Sequence, residues 1–278
     1  MKKILAVSGG IDSVVMLHLF HGDSDVIVAH FDHGIRPNSN EDCAFVEHLA
    51  QEYQLPFYSR RAQLGANCSE EIARNARYAF LRQLAAEQGG QIHTAHHRDD
   101  LIESAAINIL RGTGWRGLAP LRNPEIIRPL LDWTKCDIYR YAAEHQLHFR
   151  EDQTNSDENY LRNRIRFRLS LTDDNTKNQF TTLALRQRML ATQIDELLAS
   201  FNLGPNYPRA LFANDDIAAL ELLRYCLQKH NVSLTRPQLV RALVAIHSFA
   251  PGKKFSLDKT HFLKIGKYYF TVTSGKIV

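Results

Sequence analysis

The stretch Ile4-Leu5-Ala6-Val7-Ser8-Gly9-Gly10-Ile11-Asp12-Ser13-Val14 decides how this chain is read. Four apolar residues suit a short buried strand, and Val14–Phe20 continues as a helix. Between them lies a turn rich in hydroxyls and glycine. Gly9 and Gly10 have no Cβ, so their N–H groups can come close to a phosphate. Ser8 and Ser13 add hydroxyl donors, and the helix start adds partial positive charge. The turn therefore reads as a phosphate or pyrophosphate cradle. It is not a Walker loop: no G-x-x-x-x-G-K-[ST] occurs, and the turn contains no lysine. Asp12 would repel phosphate unless a cation intervenes, either Mg²⁺ or a positively charged substrate.

Outward from this turn, short apolar runs alternate with helical patterns. Strands are expected at Ile4–Val7, Val26–Phe31, Pro56–Ser59, Ile92–Ala95 and Ile126–Leu131. Helices are expected at 41–54, where Ser39 and Asp42 resemble a capping box, and at 70–87, 100–110 and 134–146. This alternation predicts an α/β fold with a doubly wound parallel sheet. In such sheets ligands sit at the carboxyl ends of the strands, which singles out Ser8–Ser13, His30–Arg36 and His96–Asp100.

The polar stretch Leu171–Asn178 reads as a boundary, giving domains at 1–175 and 176–278. Helices are expected at 180–201, 217–230 and 239–246, the last opened by Thr235 and Gln238 at capping-box spacing. Short strands follow at 255–257, 261–265 and 268–273. The second domain is thus a smaller helical one with a β tail. The whole chain's length, 278 residues, leaves room for two cores. Residues 1–170 carry 20 Lys and Arg against 22 Asp and Glu. Residues 236–278 carry eight basic residues against Asp258 alone, which points to a polyanionic partner. No apolar run is long enough for a membrane helix, and the N-terminal run is too short for a signal segment. Cys43, Cys68, Cys136 and Cys226 form no C-x-x-C pair, so a zinc ribbon, an iron–sulfur site and a disulfide framework are not expected.

Two further patterns compete for attention. Gly112-Thr113-Gly114-Trp115-Arg116-Gly117 fits G-x-G-x-x-G but follows a helical run, so a dinucleotide site is not expected there. A loop carrying Arg111 and Arg116 toward phosphates suits it better. His30, Asp32, His33, His96, His97, Asp99 and Asp100 follow strands and could serve a metal-dependent phosphoesterase. Asp99 and Asp100 could equally be the cap and first turn of a helix.

The turn Ser8-Gly9-Gly10-Ile11-Asp12-Ser13 resembles the PP-loop of the N-type ATP pyrophosphatases. Several other segments resemble the bacterial tRNA(Ile)-lysidine synthetases of that superfamily. They are His30–Arg36, Glu71–Tyr78, Ala95–Glu103, Arg111–Leu118, Arg128–Leu131, Glu151–Asn155 and Asn163–Arg166. The resemblance runs over roughly residues 1–170, and beyond 175 it is compositional. It implies a cytoplasmic ligase acting on ATP, Mg²⁺, free L-lysine and an isoleucine tRNA with a CAU anticodon. Adenylation of the wobble cytidine at the C2 oxygen would be followed by attack of the lysine ε-amino group, giving lysidine, AMP and pyrophosphate.

On this resemblance, Ser8, Gly9, Gly10, Ile11, Asp12 and Ser13 bind ATP. Asp12 and Asp100 bind lysine, and Asp12, Asp100, Arg74 and Arg111 are catalytic. Arg77, Arg116, Arg162, Arg164 and Arg166 meet tRNA. The arginines at 162, 164, 166 and 168 would share a face on a strand or fan around a helix. A homodimer is compatible with the chain. The alternatives are a tRNA thiolase of the same superfamily, which the missing C-x-x-C disfavours, and a nucleotide- or RNA-binding module without catalysis.

Overall fold

Strand β1 (Lys2–Ala6) buries Ile4 and Leu5 completely, one on each face of a sheet. In a computed structural model, which describes residues 1–34, 39–65, 68–150, 161–213 and 215–275, β1 is the centre of the fold. It pairs in parallel with β2 (Val26–Asp32) and β4 (Gly90–Thr94). β3 (Phe57–Arg61) and β5 (Ile126–Ile127) complete the order β3-β2-β1-β4-β5. Leu5, Val7 and Val28 pack against α1 (Ile11–Phe20), α2 (Ser39–Glu52) and α5 (Lys135–Glu144) through Val14, Leu17, Val46, Leu49 and Ile138. Ile4, Ile27, Ala29 and Ile92 pack on the other face against Tyr78, Leu81 and Leu84 of α3 (Glu70–Gln88). The doubly wound parallel sheet expected from the alternation is thus present.

The chain divides into two compact units. The first holds residues 1–107 and 120–184, including this sheet, most of α4 (Arg98–Leu110), and α6 (Leu161–Ser170). The second holds residues 108–119 and 185–278. Its core joins Leu223 of α8 (Asp216–Gln228) and Leu243 of α9 (Arg236–Ser248) to Leu263 and Phe270 of an antiparallel sheet. That sheet has the order β6-β9-β8-β7, from Tyr207–Pro208, Tyr269–Ser274, His261–Ile265 and Lys254–Ser256.

Several local readings change. The strand expected over 126–131 stops at Ile127, because Pro129 lacks an N–H for the ladder and restricts Arg128 before it. The Ser39 hydroxyl donates to Asp32 of β2. Residues 162–168 form a helix, settling the choice between strand and helix. The polar stretch at 171–178 holds a helix start: Asp173 accepts the Thr176 N–H at 2.9 Å, and α7 (Asp174–Ser200) begins there rather than at 180.

The G-x-G-x-x-G segment follows α4 and leads into a 3-10 turn at Trp115–Leu118. Within the second unit, the Arg116 guanidinium lies 2.9 Å from Asp195 and 2.5 Å from Glu221, and 4.9 Å over the Trp115 ring. Glu221 also accepts from Trp115 Nε1 at 3.1 Å. Arg116→Ala would leave the largely buried Glu221 with Arg224 at 3.1 Å and Trp115 Nε1 as its partners and would take the cation from Asp195. Urea denaturation should show a loss of about 1–2 kcal/mol, the scale of lost charged hydrogen bonds where a second cation remains; a change below about 0.5 kcal/mol would assign Arg116 to contacts outside the chain.

Candidate active site

The strand order reverses at β1, with α1 and α2 packed on one face of the sheet and α3, which leads into β4, on the other. A crevice opens at such a point, beyond the carboxyl ends of the strands. Here it is a cleft of about 860 Å³ within the first unit, lined among others by Gly10, Ile11, Asp12, His97, Asp100, Glu103, Lys135 and Arg166. Four helices start on it: α1, α4, α5 and α7.

The turn after β1 is braced from inside. Ser13 Oγ accepts the N–H groups of Ser8 and Gly9 at 3.1 and 3.2 Å and donates to the Gly10 carbonyl at 2.8 Å. Gly9 has φ +93°, which an L side chain rarely adopts. Gly10 is the N-cap of α1, and no side chain caps it there. The amides of the first turn of α1 therefore face the cleft without a side-chain acceptor, the condition that draws an anion.

Asp12 and Asp100 flank one imidazole. His97 Nδ1 accepts the Asp99 N–H at 3.2 Å, so the proton of neutral His97 sits on Nε2. Nε2 lies 3.8 Å from Asp12 and 3.6 Å from Asp100, distances of electrostatic contact rather than hydrogen bonding. Asp100 also accepts the His97 N–H at 3.0 Å, so the helix-capping role is real, on a residue that lines the cleft. Burial pushes the Asp100 carboxyl upward. The electrostatic interactions with His97, His96 and Arg162 and the His97 N–H outweigh it and hold the group below its ordinary value. Burial drives His96 down to about 3, so its imidazole is neutral. Asp12 itself forms an ion pair with Lys135 Nζ at 2.6 Å.

His30 bonds the Val7 carbonyl through Nδ1 at 2.9 Å, and Asp32 accepts the Gly34 N–H at 2.7 Å. Both hold the edge of the sheet together. Among the described residues no group of three or more His, Cys, Asp and Glu is placed to hold a metal ion. The segments Ile35–Arg36 and Glu151–Asn155 lie outside the described residues.

The arginines separate into different settings. Arg74 and Arg77 of α3 stack at 5.1 and 5.4 Å on the Tyr78 ring. Their charges reach His96, as does that of Arg128. Burial, reinforced by Arg74 and Arg162, lowers the Arg77 pKa. On α6, Arg162 and Arg166 lie one turn apart and clamp the buried Glu103 at 3.2 and 2.8 Å, while Arg164 points to solvent. Arg111 is exposed in the second unit, and Arg116 bridges carboxylates there.

Glu103 and Lys135 stand in the cleft although the sequence reading gave them no role, and His97 stands there although it was read only as a candidate metal ligand. Lys135 could have been found. Thr134 and Asp137 form a capping box, with N–H contacts of 3.0 Å each way, which marks a helix start just beyond the fifth strand.

Residues 1–172 match the PP-loop domain family, and the chain belongs to it. Among curated relatives, the tRNA(Ile)-lysidine synthase of Thermotoga sp. (strain RQ2) is 37% identical over 180 residues, covering 60% of this chain and 44% of that protein. The tRNA(Ile)-lysidine synthase of Geobacter sulfurreducens is 39% identical over 184 residues, covering 60% and 39%. The chain thus spans less than half the length of these relatives. The U34-tRNA thiolase NcsA from Methanococcus maripaludis, solved with its [4Fe-4S] cluster, shares the fold. Its TM-score is 0.56 at 17% identity over 68% of this chain and 73% of that one. Among the described residues no helix is long and apolar enough to cross a membrane.

The half-buried, neutral His96 sets a pH dependence. Its folded pKa lies below the unfolded value, so the unfolded chain binds more protons between about pH 6.5 and 3. Stability should therefore fall with pH through that window, by up to about 1.4 kcal/mol per unit from this group. Urea melts at pH 7 and pH 5 should differ less for His96→Gln than for the native chain; equal differences would remove His96 as the cause.

Proposed function

We propose that this chain is a tRNA(Ile)-lysidine synthetase. One observation carries the reading: a helix start without a side-chain cap shares a cleft with the ionised Asp100. Such a site suits an anion and a cation together, as a nucleotide triphosphate and a lysine ammonium require. The likeness to lysidine synthases at 37% and 39% identity supports it.

In this scheme the phosphates of ATP lie on the amides of Gly10, Ile11, Asp12 and Ser13. The wobble cytidine, splayed out of its loop, presents its O2 to the α-phosphorus. A bond from O2 to phosphorus forms, the bond to the bridging oxygen breaks, and pyrophosphate leaves with the electron pair. The lysine amine then attacks C2, the C2–O bond breaks, and AMP leaves. The amine gives up its proton to solvent water in joining.

Asp100 suits positioning better than deprotonation. A carboxylate held below its ordinary pKa is a poor base toward an ammonium near 10.4. Arg74 would offset charge on the transferring phosphate. Mg²⁺ fits the donor set, since Asp12 offers a hard carboxylate oxygen beside the phosphates, and magnesium takes one or two carboxylates plus phosphate oxygens. Bound there, it would screen Asp12 from the nucleotide.

The tRNA contacts assigned to Arg162 and Arg166 compete with their hold on Glu103, and those of Arg116 with Asp195 and Glu221. Exposed Arg164 and half-buried Arg77 fit the role better. The second unit adds a basic surface: Lys254 and Lys264 are exposed and directly opposite on neighbouring strands. Like charges so placed destabilise a sheet unless an anion meets them.

Radiolabelled lysine incorporation into an isoleucine tRNA transcript bearing CAU, with ATP and Mg²⁺, tests the activity. Incorporation is expected, and Asp100→Asn should lower it at least tenfold, about 1.4 kcal/mol of barrier. A folded native chain that transfers no lysine overturns the reading.

Filter binding across salt tests the basic strands. Replacing Lys254 and Lys264 with Gln should weaken tRNA binding and flatten the log K against log salt slope by about 2. An unchanged slope would leave these charges merely solvated.

A further inference from the structure

The turn after β1 has a defect for phosphate binding. Its only charged residue, Asp12, is negative, and it lacks the lysine that Walker loops carry. The fold supplies one from elsewhere. Lys135 is 123 residues further along the chain, at the first position of α5, and its Nζ lies 2.6 Å from Asp12 Oδ1. Asp12 is the second residue of α1, so its own N–H belongs to the first turn that faces the cleft. The Lys135 ammonium therefore stands one side chain away from the amides that would hold an anion.

Three features suit this lysine to a change of partner. Both members of the pair are about one-third exposed, at 33% and 32%, and an ion pair open to water is weakly held. The ammonium lies 5.4 Å from the Tyr139 ring, one turn along α5, which keeps the stem directed along the cleft wall. Of the other lysines and arginines lining the cleft, Arg166 grips buried Glu103, Arg150 reaches Glu41 and Asp42, Arg98 lies near Asp99 and Asp174, and Lys177 stands on α7, whereas Lys135 is paired to the turn itself.

We propose that Lys135 is the phosphate-binding cation of this site, leaving Asp12 for the pyrophosphate end of the nucleotide when ATP binds. The inference deepens the nucleotide reading of the same cleft and rests on it. In adenylation, the electron pair of the broken phosphorus–oxygen bond moves onto pyrophosphate. A lysine ammonium at that end stabilises the charge as it develops, with no proton transferred. Release of Asp12 from Lys135 at the same moment frees its carboxylate within the cleft.

Calorimetric titration of the full chain with ATP, pyrophosphate and AMP, each alone, tests the assignment. Lys135→Gln should weaken ATP and pyrophosphate binding at least tenfold and leave AMP within twofold, while Lys135→Arg recovers most of the loss. The same loss should appear in an Asp12→Asn background, because the lysine acts on the ligand and not through Asp12. If the loss vanishes in that background, Lys135 only holds Asp12 and the proposal is overturned. Equal weakening of AMP and pyrophosphate overturns it as well. Should Lys135→Gln fail to fold, Lys135→Arg and Lys135→Met carry the same comparison. A native chain that binds neither ATP nor pyrophosphate would instead defeat the nucleotide reading beneath it, whereas native binding with an unaltered Lys135→Gln defeats this proposal alone.

Discussion

The site depends on the reversal of strand order at β1. A strand with parallel neighbours on both sides must be apolar on both faces, which Ile4 and Leu5 satisfy. Parallel crossovers are right-handed, so the connection from β1 to β2 and the connection leaving β4 cover opposite faces. The two following turns diverge and leave a crevice. α1 and α4 both start there, and α5 joins them through Thr134, Lys135 and Cys136. Several helix starts then border one volume, which no single helix could achieve, and the amides of α1 are left without a side-chain cap.

That concentration of helix starts explains why so many acids are tolerated in one cleft. Acidic groups are favoured in first turns, and each helix has one, used differently. Asp137 closes the capping box of α5, and the Thr134 hydroxyl and N–H hold its pKa down. Asp100 caps α4 through the His97 N–H and still faces the cleft. Asp12 makes no such closure and takes Lys135 as its partner. The same residue type is thus structural at one helix start, both structural and available at the next, and mobile in its partnership at the third.

The central sheet was legible because its signals are local. A four-residue apolar run, a glycine-rich turn and an amphipathic helix announce one unit of the fold, and the repetition announces the rest. The cradle residues were legible for the same reason. What escaped the sequence depends on distance along the chain. Lys135 meets Asp12 only because β5 and β1 belong to one sheet, and nothing in T-K-C-D states which turn it will face. His97 was visible as a strand-end histidine, but its tautomer follows from the Asp99 N–H, a contact that exists only once α4 is formed. The short β5 and the early start of α7 were missed through side-chain and proline effects that override composition.

The arginine run at 162–168 shows how helix phase divides one motif into two jobs. Alternate spacing looks uniform in the sequence, but on α6 residues four apart share a face and residues two apart do not. Glu103 is almost wholly buried, and a buried carboxylate is costly unless cations meet it. Its demand fixes the phase of α6, drawing Arg162 and Arg166 inward and turning Arg164 and Arg168 to solvent. The inward pair brings α6 against α4 beside Asp100, whose ionised state the Arg162 charge supports. Charge that reads as a nucleic-acid footprint is therefore partly internal, and the surface left for a polyanion is smaller than the arginine count suggests. The same division separates Arg116, bound to Asp195 and Glu221, from exposed Arg111 five residues earlier. A buried acid opposite an arginine decides which guanidinium groups remain to meet a phosphate.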